Sequence, residues 1–183
     1  MQTKKIAVLF SGNGTNFEYL LTHLQSDYKI VVALCNNPNA KGIDIAKKFK
    51  VECKVINSKD YESREVFDRD VVSALEPYGV DLVVLAGFMR VLTTEFTDKF
   101  TAINLHPSLL PRHKGLKAIE RSYEDEYDEG GISVHWVSSE LDGGEIILQK
   151  SIPKANLTFQ EYNTKIRQIE KEALIEAIYK VLE

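Results

Sequence analysis

The sequence predicts an α/β protein with a single doubly wound, mainly parallel sheet of Rossmann-like type and an antiparallel pair near its C-terminal end. Short apolar segments alternate with longer amphipathic ones through the first half of the chain. Such alternation is typical of parallel strands that helices cover on both faces. After Gly131 the apolar spacing changes to two, and an Asp-Gly-Gly turn separates two such segments, which favours a hairpin.

The predicted elements follow the chain in order. Apolar runs predict parallel strands at residues 6–10, 30–35, 51–56, 82–86 and 100–105. Helical spacing predicts helices at residues 17–24, 43–49 and 61–75. Residues 123–131 are acidic and end in glycine, so we expect a solvated helix end and loop there. The antiparallel strands are predicted at 132–137 and 145–152, and a last helix starts near Thr158, which forms a capping box with Glu161.

Composition narrows the class of protein. A length of 183 residues suits one domain, and a net charge of −4 argues against broad nucleic-acid binding. Since the N-terminal apolar run is too short for a signal peptide and no stretch is long enough for a membrane span, we expect a cytoplasmic protein without membrane partners. Cys35 and Cys53 are interpreted as reduced structural thiols. The dispersed histidines predict no metal site.

The first motif is Ser11-Gly12-Asn13-Gly14-Thr15-Asn16, which follows the first strand and opens the first helix. Glycines allow a ligand to approach the backbone, and free N–H groups at a helix start favour an anion. Neither a P-loop lysine nor a third glycine is present, so a single phosphate fits better than a pyrophosphate. The alternative is a tight turn with Thr15 or Asn13 as the N-cap.

A second motif, Leu85-Ala86-Gly87-Phe88-Met89-Arg90-Val91-Leu92, ends the fourth strand. Exposed backbone groups and apolar side chains at a strand end suit a flat heteroaromatic ligand. A buried strand that passes directly into a helix remains an alternative.

The third motif joins Asn104 and His106, in Asn-Leu-His-Pro, to Asp142, in Asp-Gly-Gly. Residues two apart in a strand point to the same side, so the amide and the imidazole project together. With a carboxylate nearby, they can bind and protonate a developing oxyanion, as in attack on a carbonyl carbon without a covalent intermediate. Turn chemistry and a structural histidine are the alternatives. His135 is interpreted as a structural residue, with support of the catalytic group as the alternative. His23 and His113 are interpreted as surface residues, and Arg64 as a helix-face charge.

With these motifs, and with Ser63-Arg64-Glu65, Ser133-Val134-His135 and Glu140-Leu141-Asp142-Gly143-Gly144, nearly the whole chain resembles the folate-dependent glycinamide ribonucleotide formyltransferases of purine biosynthesis. The resemblance implies one formyltransferase domain over residues 1–183, with a phosphate-binding half at about 1–100 and a folate and catalytic half at about 101–183. It also implies formyl transfer from 10-formyltetrahydrofolate to a ribonucleotide amine without a metal, by a monomer or homodimer.

The same resemblance implies roles for individual residues. The catalytic group would be Asn104, His106 and Asp142, with His106 protonated and its pKa raised by Asp142. The ribonucleotide would be held by Gly14, Thr15, Asn16 and Glu170. The folate would be held by Arg64, Met89, Arg90, Val91, Leu92, Asn104, Ser138, Ser139, Glu140, Leu141 and Asp142.

The chain departs from the family's usual pattern at Arg112-His113-Lys114-Gly115, after Gly115, at Gly130-Gly131 and at Lys171. These departures leave the conformation of residues 112–131 and some contacts near the last helix open. The alternatives are a methionyl-tRNA formyltransferase, a formyltetrahydrofolate hydrolase and a noncatalytic nucleotide-binding module. The first two usually carry a further domain, which we do not expect here, and the intact catalytic group argues against the third.

Overall fold

The structure, a computed structural model, describes residues 2–183. Its strands are β1 Lys4–Phe10, β2 Tyr28–Cys35, β3 Cys53–Val55, β4 Leu82–Leu85, β5 Ala102–His106, β6 Glu129–Trp136 and β7 Ile146–Pro153. Its α-helices are α1 Thr15–His23, α2 Gly42–Lys48, α3 Arg64–Leu75, α4 Thr94–Thr97, α5 Ala118–Glu124 and α6 Phe159–Leu182. Two 3-10 turns occur at Ser58–Asp60 and Glu76–Tyr78. No helix within these residues is long and apolar enough to span a membrane.

The strands form one seven-stranded sheet in the order β3-β2-β1-β4-β5-β6-β7. β1 runs parallel to β2 and to β4, and β2 runs parallel to β3. β6 and β7 are antiparallel. The mixed, mainly parallel sheet with a C-terminal antiparallel pair confirms the predicted fold class. By compactness the chain divides into one unit that ends at Ile103 and another from Asn104 to Val181.

The first unit is built on strands that are apolar on both faces, as parallel strands covered by helices must be. Its fully buried strand residues include Ile6, Ala7, Val8, Leu9, Phe10, Val32, Ala33, Leu34, Val83 and Val84. The predicted start of the third helix was wrong, because α3 begins at Arg64 and not at residue 61. Ser63 caps it, since its hydroxyl accepts a hydrogen bond from the N–H of Val66.

The second unit contains the antiparallel pair and the 24-residue helix α6. The predicted capping box is confirmed: the Thr158 hydroxyl accepts from the N–H of Glu161, and the Glu161 carboxylate accepts from the N–H of Thr158. The buried face of α6 recurs every three or four residues, as an amphipathic helix requires. That face consists of Tyr162, Ile166, Glu170, Ala173, Leu174, Ala177 and Ile178.

The loop predicted at 123–131 is wrong at its C-terminal end. β6 already begins at Glu129, and both Gly130 and Gly131 are buried within it. The reason is tertiary, because residues 129–131 pair with residues 151–153 of β7. Glycine is needed at position 130, since a Cβ there would lie 1.8 Å from the hydroxyl oxygen of Tyr162. Glycine fits at position 130 of β6, whereas a side chain there would collide with α6. The helix end expected in this segment is confirmed, because α5 ends at Glu124, whereas the short helix α4 was not predicted.

Gly130→Ala is expected to destabilise the protein by about 1–3 kcal/mol, since the added methyl overpacks a filled site. Chemical denaturation would measure this as a lower midpoint. Gly12→Ala is the matched control, because a Cβ at Gly12 meets no atom within 4 Å. In a Tyr162→Leu background the cost of Gly130→Ala should shrink. Equal costs in both backgrounds would contradict the steric explanation.

Candidate active site

The loop before α1 has the backbone geometry of an anion site. Gly14 is the N-cap residue, with a left-handed φ of 71°, and no side chain caps the helix. The alternative in which Thr15 or Asn13 supplies the N-cap is therefore wrong. A Cβ on Gly14 would lie 2.7 Å from the Cα of Gly42, so both backbone angle and space select glycine here. The uncapped N–H groups at the start of α1 can receive a phosphate.

Ser11 joins this loop to the segment that follows β4. Its N–H donates to the carbonyl oxygen of Gly87 at 3.0 Å. Its hydroxyl accepts from the N–H of Met89 at 2.8 Å and donates to Oδ1 of Asn36 at 2.5 Å. The Ser11 hydroxyl therefore links the first sequence motif, before α1, to the second motif, after β4.

The segment from Gly87 to Thr93 is an irregular loop, and the next helix begins only at Thr94. Met89 is 68% exposed, whereas Leu92 is buried. The guanidinium of Arg90 stacks 4.2 Å from the centroid of the Phe67 ring. The buried carboxylate of Asp68 accepts from both the N–H and the hydroxyl of Thr93, and so fixes the end of the loop. A direct passage from strand to helix is thus wrong.

Asn104, His106 and Asp142 lie together in the second unit. Nδ1 of His106 is 3.4 Å from Oδ2 of Asp142, and Nδ2 of Asn104 is 3.4 Å from Oδ1 of the same carboxylate. His106 is 6% exposed and the Asp142 side chain also 6%. Asp142 itself has a left-handed φ of 46°. β5 and the 138–144 turn therefore bring together the three side chains that the sequence pattern predicted to converge.

His135 on β6 completes this cluster. Its Nε2 lies 3.1 Å from Nδ2 of Asn104 and 3.6 Å from Oδ1 of Asp142. Its Nδ1 lies 2.8 Å from the carbonyl oxygen of Trp136, which can only accept, so Nδ1 carries a hydrogen. The burial of His135, which is 3% exposed, agrees with the structural interpretation, and its contact with Asn104 agrees with the supporting alternative.

Two backbone groups that the sequence analysis missed also contact the cluster. Nε2 of His106 lies 2.8 Å from the carbonyl oxygen of His113, and this nitrogen must therefore be the donor. The N–H of Gly115 donates to Oδ2 of Asp142 at 2.8 Å. The prediction that His113 is a surface residue was wrong: its ring is 21% exposed and lies 2.6 Å from Asp125.

The electrostatics correct one expectation. Burial lowers the pKa of His106 and outweighs the His113 carbonyl and the Asp142 carboxylate, which both raise it. Asp142 therefore raises the pKa of His106 as expected, but the net pKa of His106 is lowered and not raised. Burial raises the pKa of Asp142, yet the nearby ring of His135, the hydrogen bond from the Gly115 N–H and the charge of His106 bring it below its usual value. Asp142 is thus a carboxylate at neutral pH.

The remaining predicted residues are distributed over both units. Arg64 is exposed at the start of α3. Ser138 and Glu140 bond to each other within the 138–142 turn, where Leu141 is 47% exposed. Glu170 is 2% exposed, and its carboxylate accepts from Arg167 at 3.2 Å. Among residues 2–183, no cluster of three or more histidine, cysteine and acidic side chains could hold a metal ion.

Comparison with known proteins gives consistent matches over most of the chain. A family model described as formyl transferase matches residues 4–178. The phosphoribosylglycinamide formyltransferase of Haemophilus influenzae is 39% identical over 155 residues, which cover 82% of this chain and 73% of that protein. The protein of the same name from Bacillus subtilis is 36% identical over 154 residues, or 81% of this chain and 79% of that one. The crystal structure of phosphoribosylglycinamide formyltransferase from Campylobacter jejuni superposes with a TM-score of 0.96, at 47% identity over 100% of this chain and 99% of that one.

Proposed function

The chain belongs to the formyl transferase family, and we propose that it transfers the formyl group of 10-formyltetrahydrofolate to the amine of glycinamide ribonucleotide in purine biosynthesis. The observation that carries the proposal is the cluster of Asn104, His106 and Asp142, which holds two polar hydrogen donors beside a carboxylate. Relatives named for this reaction match most of the chain.

The ribonucleotide would be bound through its phosphate by Gly14, Thr15 and Asn16. Support comes from the left-handed Gly14 and from the N–H groups at the start of α1, which no side chain caps. Glu170 would hold the ribonucleotide on the second unit, where Arg167 already orients its carboxylate.

The folate would use the loop after β4 and the 138–142 turn. Support comes from the irregular backbone at Met89, Arg90 and Val91 and from the exposed Leu141. Leu92 belongs to the same proposed set, and 2% of this residue is exposed. The further residues of this proposed set are Arg64, Asn104, Ser138, Ser139, Glu140 and Asp142.

In the reaction, the neutral amine attacks the formyl carbon, and the formyl oxygen becomes an oxyanion. Since Nε2 of His106 donates to His113, a second proton on Nδ1 creates the imidazolium that faces both Asp142 and the oxyanion. The Asn104–Asp142 contact of 3.4 Å is long, so the amide can turn an N–H to the same oxygen. A proton then passes from the attacking nitrogen to N10, through a water near Asp142, and the C–N10 bond breaks.

We also propose that residues 1–183 act as one formyltransferase domain, since the family model extends across both compact units. The phosphate-binding half would cover about residues 1–100 and the folate and catalytic half the rest.

The decisive experiment supplies 10-formyltetrahydrofolate together with glycinamide ribonucleotide, with an initiator tRNA, or with water alone, and identifies the product. Formylated glycinamide ribonucleotide is the expected product. Formyl-tRNA or free formate as the main product would replace the proposal with a tRNA formyltransferase or a hydrolase. Binding of either substrate without turnover would identify a nucleotide-binding module.

Gly14→Val is expected to raise the KM for the ribonucleotide by about 10²-fold, because loss of one well-placed anion contact costs some 3 kcal/mol. The KM for the folate should change little. Steady-state kinetics with each substrate varied would measure both constants. Gly79→Ala is the matched control, since Gly79 also has a left-handed φ, of 56°, but open space around it. Equal increases in both KM values would contradict the phosphate assignment.

A further inference from the structure

A chain of three polar side chains lies next to the catalytic cluster in the second unit. The ammonium of Lys154 is 2.5 Å from Oδ1 of Asp125, and Nε2 of His113 is 2.6 Å from Oδ2 of the same carboxylate. The Lys154 side chain is 9% exposed and that of Asp125 is 13% exposed. We refer to Lys154, Asp125 and His113 as the anchor triad. His113 and Asp125 lie within residues 112–131, whose conformation the sequence analysis left open, and Lys154 directly follows β7.

The anchor triad also fixes the end of a helix. The Lys154 ammonium donates to the carbonyl oxygens of Ser122 at 2.7 Å and Asp125 at 3.0 Å, at the C-terminus of α5. A cation at this end of a helix is favoured by the helix dipole and satisfies unpaired carbonyls. The Lys154 ammonium thereby holds both the backbone carbonyl and the side-chain carboxylate of Asp125.

The backbone of residues 113–115 carries this anchoring to the catalytic cluster. The carbonyl of His113 accepts from Nε2 of His106, and the N–H of Gly115 donates to Asp142. Both His113, with a φ of 56°, and Gly115, with a φ of 78°, are left-handed. A non-glycine residue in this conformation is disfavoured, and a tertiary contact can offset that cost. The ring of His113 supplies that contact through Asp125.

We propose that the anchor triad is a positioning device for His106, which fixes the His113 carbonyl so that Nδ1 of His106 is the nitrogen that faces Asp142 and the reacting oxygen. The inference rests on the proposed function for its catalytic consequence. Its structural part, the orientation and tautomer of His106, stands independently of the substrate.

The charged groups around His106 and His113 determine how breaking the anchor triad would change the titration of His106. His106 faces Asp142 and His135, and it also feels the charge of Arg121. Around His113 lie Asp125, Lys154 and Arg112, whose guanidinium is 3.7 Å from Asp125. The His113 carbonyl raises the pKa of His106. Loosening that carbonyl should therefore move the titration of His106 to lower pH.

The test uses Asp125→Asn and Lys154→Met in the full chain, with Lys150→Met as the matched control. Lys150 also pairs with one acidic residue, Glu176, at 2.6 Å, and it lies on β7 outside the anchor triad. We expect kcat to fall by about 10-fold in both triad variants, as misplacement of a catalytic group predicts, with KM values near those of the parent. NMR of the imidazole nitrogens should show His106 titrating at lower pH and losing its single tautomer.

Lys154→Arg, which keeps the cation, should restore most of kcat. His113→Asn provides a second way to break the triad, since asparagine tolerates the left-handed backbone and keeps the carbonyl. It remains informative if a charge variant fails to fold. Unchanged kcat and an unchanged His106 titration in these variants would overturn the proposal, as would a change confined to KM. A changed His106 titration in a protein that forms no formylated ribonucleotide would support the positioning and reject the proposed substrate instead.

Discussion

His106→Ala is expected to lower kcat for formyl transfer by about 10²–10³-fold, the usual cost of removing one oxyanion donor. The ring is the only group of the cluster that offers a nitrogen beside Asp142 and a second one fixed by the His113 carbonyl. Alanine removes both, while the loop after β4 and the 138–142 turn keep their own bonds. Folate affinity should therefore change little. Single-turnover kinetics and calorimetric titration with a folate analogue would separate the two quantities.

Because His106 is buried, the variant also needs a stability measurement. Its unfolding midpoint should stay high enough for the enzyme to be folded at the assay temperature. His23→Ala is the matched control, since His23 is exposed at the end of α1. Turnover of His106→Ala close to that of the parent would remove His106 from the chemistry. A loss of folate binding as large as the loss of kcat would assign it to binding instead.

Asp142→Asn is expected to lower kcat at neutral pH by about 10²-fold, within the usual contribution of a group that manages protons. The sign of the pH effect follows from the charge. The Asp142 carboxylate raises the pKa of His106, against the larger effect of burial. Asparagine has no charge, so the pKa of His106 should fall further, and the imidazolium should persist only at lower pH. The alkaline limb of the kcat profile should move to lower pH.

Measurement of kcat against pH for the parent and for Asp142→Asn tests this. Asp44→Asn is a suitable control, because the Asp44 side chain is 82% exposed and pairs with Lys47 at 3.7 Å. An unchanged profile, even with lower activity, would exclude Asp142 from proton management. A profile displaced to higher pH would mean that the carboxylate acts on a group other than His106.

The regular elements with strong periodicity could be predicted from the sequence. The apolar runs that became β1, β2 and β4 have no competing interpretation, and Thr158 with Glu161 specifies the start of α6 locally. The short helix α4 and the early start of β6 could not be predicted. α4 has only four residues, which show no periodicity, and the strand start at Glu129 depends on pairing with the end of β7, which is distant in sequence.

The candidate site also has features that could be predicted from the sequence and features that could not. Asn104 and His106 share a strand, so period two alone predicts that they project together. Their approach to Asp142 required a tertiary arrangement, which the motif could suggest but not measure. The His113 carbonyl and the Gly115 N–H leave no trace in side-chain identity, because every residue has a backbone. The net direction of the His106 pKa also could not be predicted, since it depends on how many neighbours exclude water.

The two outer strands of the sheet bear on how copies of this chain can associate. β3 has three residues, and β7 carries Lys150 and ends at Pro153, which has no N–H to donate. Short, charged or proline-ended borders are poor templates for a foreign strand. Growth of the sheet by backbone pairing between molecules is thus disfavoured at either border. Contacts between two copies are therefore expected to form through side chains and not through a shared sheet.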